Sequence, residues 1–197
     1  MSVLLEIKGL AKSYGGVEAV KDVSLSVSAG EMVALIGPNG AGKSTCFNMI
    51  NGQIRPDRGS IRMFGRETAG LKPAAIWRLG VGRTFQITAT FTSMRVIENV
   101  QVALASHASA LWRLARLDAF KRTEAKALLD LVGIGALAER PSGELAYGDL
   151  KRLELAVALS NEPRLLLMDE PTAGMAPGAR IAMMALAAGI APSTEAR

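Results

Sequence analysis

The order of hydrophobic and polar residues predicts strands in two separate parts of the chain. Val23, Leu25 and Val27 are separated by single serines, and this period of two is typical of a strand with one buried face. The uninterrupted apolar run at 32–36 predicts a buried strand. Residues 165–168 also contain no polar side chain, so we expect a parallel strand that is buried on both faces.

A turn, a further strand and a long helical stretch lie between these strands. Residues 55–59 combine arginine, proline, aspartate and glycine, which is typical of a turn, and residues 60–64 then predict a strand. Over 96–160 the apolar residues recur at helical spacing, so we expect a helical insertion, with a short alanine-rich helix over 181–191. The residues that carry the helical spacing are Leu128, Leu131, Val132, Leu150, Leu153 and Val157.

Residues 37–45 match the phosphate-binding loop pattern of glycine, four residues, and then Gly-Lys-Ser or Gly-Lys-Thr. The apolar run before the loop and the helix expected after it form the arrangement that this motif requires. A simple glycine turn between strand and helix is the alternative, but it does not explain the Gly-Lys-Ser sequence. The nine residues are Gly37, Pro38, Asn39, Gly40, Ala41, Gly42, Lys43, Ser44 and Thr45.

Each residue type in this loop has a chemical reason to be there. Glycines allow the backbone to curl so that successive N–H groups point at one anion, and the following helix directs its positive end to the same place. Lys43 adds a mobile charge that reaches the β- and γ-phosphates, and Ser44 supplies a hydroxyl for Mg²⁺. The motif therefore predicts that ATP and Mg²⁺ are the cofactors.

Two carboxylates follow the apolar run at 165–168. Asp169 occupies the position from which an acidic residue holds Mg²⁺ in phosphate-loop proteins, directly or through a bound water. Glu170 is placed to polarise the water that attacks the γ-phosphate. The alternative is that both carboxylates cap the turn at Pro171, but the phosphate loop upstream favours the metal site.

Composition and charge narrow the class of protein. The chain has 197 residues, of which 49% are hydrophobic, and it has a net charge of +5. The amino terminus lacks the basic region of a signal peptide, and no window reaches the roughly 18 apolar residues of a membrane span. The scattered charges lack the aromatic interleaving of a single-strand binder, and the basic stretch at 112–122 predicts a solvated helix face, with a membrane-surface helix as the alternative.

Cys46 is the only cysteine in the chain. No intramolecular disulfide is possible, which suits a reducing cytosol. We expect Cys46 to be a small buried residue on the helix after the phosphate loop. The alternative is a thiol that the helix amino terminus makes reactive.

With these motifs in hand, the chain resembles the ATP-binding subunits of ABC transporters over nearly its whole length. Residues 83–86, Arg-Thr-Phe-Gln, resemble the Q-loop, which implies that Gln86 contacts Mg²⁺ and the nucleotide site. Tyr14 matches the aromatic residue that stacks on adenine. Residues 145–149, Leu-Ala-Tyr-Gly-Asp, resemble the signature motif, which implies that Gly148 directs backbone N–H groups at the γ-phosphate. Catalytic roles are thereby implied for Glu170, Gln86 and Lys43.

The pattern and the resemblance together imply an α/β fold. We expect a P-loop NTPase core with a mostly parallel sheet, an amino-terminal antiparallel β subdomain and an inserted helical subdomain. Residues 1–197 are expected to form a single ABC ATPase domain. Within it, residues 1–86 and 161–197 would form the nucleotide-binding core, and residues 87–160 the helical subdomain with the signature motif.

Finer similarities concern the ATPases of branched-chain amino acid importers, with urea and amide importers as alternatives. They are carried by residues 83–86, 96–100, 110–133, 147–148 and 170–175. The resemblance implies a second ABC ATPase subunit, identical or related, that faces this one head to tail. It also implies membrane permease subunits, an indirect link to a solute-binding protein, no nucleic acid partner, and a cytoplasmic location on the inner face of the cell membrane.

Several positions depart from the family pattern. Ala146 replaces the usual signature serine, Asp149 the usual glutamine, and Ala176 an aspartate. The family also carries a switch histidine on a downstream strand, whereas the only histidine here, His107, lies in the helical stretch, where we expect an ordinary surface or packing residue. We therefore expect ATP binding with slow hydrolysis from residues 1–197. The alternatives are a soluble ABC-type ATPase unconnected with transport and a truncated cassette that binds nucleotide without turnover.

Overall fold

The computed structural model describes residues 2–84, 90–107 and 120–169, together with the single positions Gly178, Ile181 and Ala185. The described residues divide into two compact units, with the boundary between Val81 and Gly82. Both helices and sheets are present, and the α/β class that the sequence predicts is confirmed. The expected subdomain boundaries at residues 86 and 160 stay a prediction.

The first unit is built on a four-stranded antiparallel sheet with the strand order β2-β1-β3-β4. Ile7 at the centre of β1 lies opposite Leu25 on one neighbouring strand and Ile61 on the other. Ile7 and Ile61 are almost completely buried, and the alternation predicted at 23–27 is confirmed because the two intervening serines are exposed. The four strands are β1 (Val3–Tyr14), β2 (Val17–Ser28), β3 (Arg58–Met63) and β4 (Arg66–Glu67).

Strand β3 begins two residues before the position that the sequence predicts, and it ends at Met63. Gly59 explains the difference, because its φ of +91° and its close approach to Gly9 both require a residue without a side chain. A Cβ atom on Gly59 would lie 2.5 Å from the carbonyl oxygen of Gly9. The glycine that looks like part of a turn is therefore the point at which β3 passes close to β1.

The apolar run at 32–36 does not form the buried strand that the sequence predicts. The segment has no regular secondary structure, its apolar side chains are exposed, and Ile36 is 90% exposed. A strand needs a neighbour for its backbone N–H and C=O groups, and within the described ranges no strand pairs with this run. The hydrophobic pattern predicted burial, but pairing depends on residues elsewhere in the chain.

Among residues 2–81, the first unit also contains two helices. The helix expected after the phosphate loop is confirmed as α1 (Lys43–Ile50), which buries Cys46 and Met49. A further short helix, α2 (Pro73–Arg78), was not predicted. Its proline lies in the first turn, where the missing backbone N–H costs nothing because that group has no partner within the helix.

Within residues 82–84, 90–107 and 120–169, the second unit contains three helices and a small sheet. The helical stretch predicted over 96–160 is confirmed as α3 (Val96–His107), α4 (Arg122–Leu131) and α5 (Tyr147–Leu159), with single 3-10 turns at Gly135–Leu137 and Ser142–Glu144. These helices surround a shared apolar core. Its largest fully buried members are Ile97, Leu129, Ile134, Leu153 and Leu155.

The predicted helical spacing is partly wrong on α4. Leu131 is exposed, whereas Leu129 is completely buried, and Val132, which follows the helix, is buried as well. On α5 the prediction is confirmed for Leu153, and Leu150 and Val157 pack against the core from partly buried positions.

Strands β5 (Val81–Thr84) and β6 (Leu165–Met168) form a two-stranded parallel sheet. On β6 only Leu165 and Leu167 are buried, so the prediction of burial on both faces is wrong for the other two positions, although these pack against the helical core. Gly82 lets β5 approach α5, because a Cβ atom there would lie 2.7 Å from the carbonyl oxygen of Ala158.

The alanine-rich helix predicted over 181–191 lies mostly outside the described residues. Ile181 and Ala185 are helical and exposed, so a packed position is wrong for these two. Within the part of the chain that the structure describes, no helix is long and apolar enough to cross a membrane.

Candidate nucleotide-binding site

The phosphate loop leads directly into α1, as the sequence predicts. Gly40 and Gly42 both have positive φ angles, of 84° and 81°. Gly42 is also fixed by its surroundings, because a Cβ atom there would lie 2.0 Å from the carbonyl oxygen of Ala19 on β2. The backbone of Gly42 begins the helix by accepting a hydrogen bond from Cys46 N at 2.8 Å. Glycine is therefore required here both for its conformation and for the approach of a neighbouring strand.

The side chain of Lys43 folds back over the loop. Its Nζ atom donates to the carbonyl oxygens of Gly37 at 2.7 Å and Pro38 at 2.9 Å. These carbonyls hold the ammonium group at the mouth of the loop, close to the amino terminus of α1. A phosphate oxygen that arrives at the loop can replace the carbonyls as acceptor, and the bond to an ionised oxygen is the stronger of the two.

A cleft of about 330 Å³ lies beside the loop within the first unit. One wall comes from β2, including Glu18 and Lys21, and the other from the loop residues 40–43 and the neighbouring Leu35 and Ile36. The apolar side chains of this lining suit a ring of a bound ligand, and the charged side chains suit the ligand's polar groups. The exposed segment before the loop therefore contributes to the lining of this cleft.

Cys46 also borders the cleft but is nearly inaccessible. Burial raises the pKa of its thiol. Because the thiolate is the reactive form, this direction is the opposite of activation. The expectation of a small buried residue is confirmed, and the alternative of a reactive thiol is wrong.

Tyr14 lies at the end of β1, in the same unit as the loop, but does not line the cleft. The residue is 47% exposed, and the Nζ atom of Lys12 lies 5.6 Å from the ring centre. Asp57 holds that lysine at 2.6 Å, and the hydrogen bond from Lys12 holds the pKa of Asp57 below its usual value. The adenine contact of Tyr14 stays a prediction.

In the second unit, Asp169 follows the last residue of β6 and is buried. Its Oδ2 atom lies 3.6 Å from Nη2 of Arg83 on β5, and the two side chains are only 6% and 7% exposed. Burial lowers the pKa of Arg83, and the charge of Asp169 opposes this change. The sequence motif included Arg83 but assigned it no role, although a charged residue inside a short buried strand is a signal that it has a partner.

The predicted signature motif lies at the start of α5. Ala146 is the residue that precedes the helix, and its methyl group provides no side-chain cap. Asp149 N and Leu150 N both donate to the carbonyl oxygen of Ala146. Within the described residues no hydrogen bond leaves the N–H groups of Tyr147 and Gly148. They form a helix amino terminus that is open to an anion.

Three further site predictions have separate outcomes. Gln86 and Glu170 lie outside the described residues. His107 is the last residue of α3 and is exposed, which confirms the expectation of an ordinary surface position.

The described donors fit the chemistry of Mg²⁺. Asp169 offers carboxylate oxygens that form no hydrogen bond within the described residues, and Ser44 offers a hydroxyl in the first turn of α1. Mg²⁺ prefers such hard oxygen ligands and is usually held by one or two protein groups together with phosphate oxygens and water. Ser44 and Asp169 belong to different units, and their role as joint ligands stays a prediction.

Comparison with known proteins identifies the family. A family model described as ABC transporter matches residues 20–173. The high-affinity branched-chain amino acid transport ATP-binding protein BraF of Pseudomonas aeruginosa is 42% identical over 182 residues, which cover 88% of this chain and 71% of BraF. The corresponding protein LivG of Escherichia coli is 40% identical over 182 residues, with the same coverage of both chains.

Solved structures agree with the sequence comparison. The ATP-binding cassette MJ1267 in its ADP conformation has a TM-score of 0.85 at 28% identity and covers 98% of this chain and 79% of its own. A dimeric post-hydrolysis state of the cassette MJ0796, bound to ADP and Pi, has a TM-score of 0.79 at 26% identity and covers 93% of this chain and 81% of its own. With the phosphate loop ahead of α1 and a family model that matches most of its length, the chain belongs to the ABC transporter family.

Proposed function

We propose that this chain is the ATP-binding and ATP-hydrolysing subunit of an importer for branched-chain amino acids. The observation that carries the proposal is the phosphate loop, in which Gly42 is locked against β2 and Lys43 is held at the loop mouth. The similarity to BraF and LivG supports the choice of branched-chain amino acids over urea and amides.

In this proposal the loop binds the phosphates of ATP through backbone N–H groups, and Lys43 pairs with the β- and γ-phosphate oxygens. Tyr14 stacks on the adenine with the exposed face of its ring. Ser44, Gln86 and Asp169 hold Mg²⁺, which neutralises charge on the β- and γ-phosphates. Glu170 accepts a hydrogen bond from the attacking water and orients it.

The signature motif acts on a second subunit. The N–H groups at the start of α5, including that of Gly148, donate to the γ-phosphate of a nucleotide held by the partner. ATP then binds the two subunits together, and hydrolysis releases them, which biases the conformation of permease subunits in the membrane. The chain accordingly works at the inner face of the cell membrane, and a solute-binding protein delivers the amino acid to the permease.

Calorimetric titration with Mg-ATP tests the nucleotide site. Lys43→Ala removes a charge-assisted contact worth about 1.5–3 kcal/mol, so affinity falls about tenfold or more. Lys72→Ala is the matched control, because Lys72 is an exposed lysine of the same unit outside the loop. Equal affinity in wild type and Lys43→Ala would contradict the site.

Transport is tested in vesicles that contain the chain with co-purified permease subunits. ATP-dependent uptake of leucine, isoleucine or valine in the wild type, but not in Glu170→Gln, is the expected result. Uptake of urea or an amide instead would support the importer function but contradict branched-chain amino acids as the solute. Purification with nucleic acid and without any permease would contradict the transport function.

A further inference from the structure

We propose that Arg83 is an internal counter-ion of Asp169 that competes with Mg²⁺ for this carboxylate and so sets how tightly the ATP site holds the metal. The inference rests on the proposed role of Asp169 in the ATP site. In this inference Arg83 contacts neither the nucleotide nor the metal, and it acts on the site only through its charge beside Asp169.

The ion pair is built into the second unit by two paired strands. Arg83 lies on β5, Asp169 directly follows β6, and the strands form one sheet. Gly82, the residue before the arginine, allows β5 to lie against the end of α5. Strand pairing therefore places the guanidinium and the carboxylate beside each other in a site that is nearly closed to solvent.

The geometry of the pair leaves the carboxylate available for a metal. The distance of 3.6 Å between Nη2 and Oδ2 neutralises charge but exceeds that of a charge-assisted hydrogen bond. Within the described residues, no group donates a hydrogen bond to Asp169. The oxygens of Asp169 therefore keep their lone pairs, which a hard cation requires of its ligands.

Electrostatics make the guanidinium of Arg83 and a metal ion compete for the carboxylate of Asp169. A buried carboxylate without a partner is costly, and Arg83 provides the balancing charge when no metal is present. Arginine stays protonated in proteins, so it cannot remove its charge when a divalent cation approaches. Metal binding at Asp169 must then displace the guanidinium or work against its repulsion.

An alternative role for Arg83 predicts the opposite sign. If the arginine only orients Asp169 toward the metal, its removal weakens metal binding. If it competes, its removal tightens metal binding and lowers the stability of the metal-free protein. The two effects are separable, because metal affinity and metal-free stability are measured independently.

The experiment measures Mn²⁺ binding by electron paramagnetic resonance of the free ion, in the presence of saturating ADP. Arg83→Met keeps the length of the side chain and removes the charge, while Arg83→Lys keeps the charge as the matched control. We expect Mn²⁺ to bind Arg83→Met at least about tenfold more tightly than wild type, and Arg83→Lys within about threefold of wild type. In EDTA, Arg83→Met should melt at a lower temperature than Arg83→Lys.

A second set of variants separates competition from general damage. Asp169→Asn removes the carboxylate charge, and in that background Arg83→Met should no longer tighten Mn²⁺ binding. Arg83→Gln serves as the neutral variant if Arg83→Met does not fold. Unchanged or weaker Mn²⁺ binding in a folded neutral variant overturns the inference and leaves the proposed function intact. A wild type that binds neither ADP nor Mn²⁺ overturns both.

Discussion

Asn99 and Ser142 are 43 residues apart in sequence, yet the Nδ2 atom of Asn99 donates to the Oγ atom of Ser142 at 3.4 Å. Both also bind the backbone of Phe91. Asn99 Oδ1 accepts from Phe91 N at 2.7 Å, and Ser142 Oγ donates to Phe91 O at 2.8 Å. The buried pair therefore fixes the segment that follows residues 85–89 to the turn that precedes the signature motif.

Removing this polar cluster is expected to destabilise the second unit. Asn99→Ala removes the acceptor of Phe91 N and the hydrogen bonds that Asn99 donates to the carbonyl oxygens of Phe91 and Arg95, at a cost of about 1–3 kcal/mol in the free energy of unfolding. Urea denaturation measures the change. Ser106→Ala is the control, because Ser106 is an exposed serine on the same helix, where the expected change is within about 0.5 kcal/mol. Full additivity of Asn99→Ala and Ser142→Ala would show that the two side chains act independently.

A serine at position 146 is expected to stabilise α5. Ala146 has the extended backbone of a helix cap, with φ −62° and ψ 152°, but no side-chain oxygen. Ala146→Ser supplies an acceptor for an N–H group of the first turn and should add about 0.5–2 kcal/mol of stability. Ala146→Val, which also lacks a side-chain oxygen, should not add this stability, and equal unfolding midpoints for all three proteins would contradict the cap.

Helix α5, which begins at the signature motif, also contains a buried ion pair. Lys151 Nζ lies 2.9 Å from Glu154 Oε2, with side chains 3% and 5% exposed. Glu154→Ala leaves a buried ammonium group without this partner and should cost about 3–5 kcal/mol. A double replacement, Lys151→Met with Glu154→Leu, should recover much of that loss. The exposed pair of Lys126 and Asp130 is the control, and breaking it should cost about 0.5 kcal/mol or less.

Stability at acid pH is expected to depend on Glu98. Its side chain accepts hydrogen bonds from the side chain and the backbone N–H of Arg95, which lower its pKa from the ordinary 4.5. Because the folded state favours the charged form, the stabilisation is present above pH 4.5 and is lost as the pH falls through the lowered value. Glu98→Gln should flatten this part of the stability curve, whereas the exposed Glu124→Gln should not. A Glu98→Gln curve parallel to wild type would rule out this contribution.

The proposed adenine contact predicts a specific order of affinities. Tyr14→Phe keeps an aromatic ring and should bind Mg-ATP nearly as well as wild type. Tyr14→Ala removes the stacking surface, worth about 1–3 kcal/mol for a base on an aromatic side chain, so affinity should fall about fivefold or more. Fluorescence titration with an ATP analogue measures the order, and unchanged affinity in Tyr14→Ala would remove Tyr14 from the site.

The sequence predicts most of the local structure because local structure depends on local patterns. Alternation at 23–27 identified a strand, the periodic apolar residues of 96–160 identified helices, and residues 37–45 identified a loop followed by a helix. Gly42 and Lys43 lie where the motif requires them. Each of these features is decided by residues that are close in the chain.

The features that the sequence did not predict depend on distant residues. The run at 32–36 was expected to be buried, but a strand is stabilised by its neighbours as much as by its own apolar side chains. The pairing of Arg83 with Asp169 and of Asn99 with Ser142 joins residues far apart in the chain. No periodicity encodes such contacts, and only the fold brings these side chains together.

The contact between Gly42 and the carbonyl oxygen of Ala19 has a consequence for how this loop can vary over evolution. Gly40 and Gly42 both need a left-handed backbone, but a side chain at Gly40 would meet no atom within 4 Å, whereas one at Gly42 would collide with β2. Asparagine and aspartate tolerate that conformation, so either residue can replace Gly40. No residue with a side chain can replace Gly42. The strand, which carries none of the phosphate-binding motif, thus limits which sequences the loop can adopt.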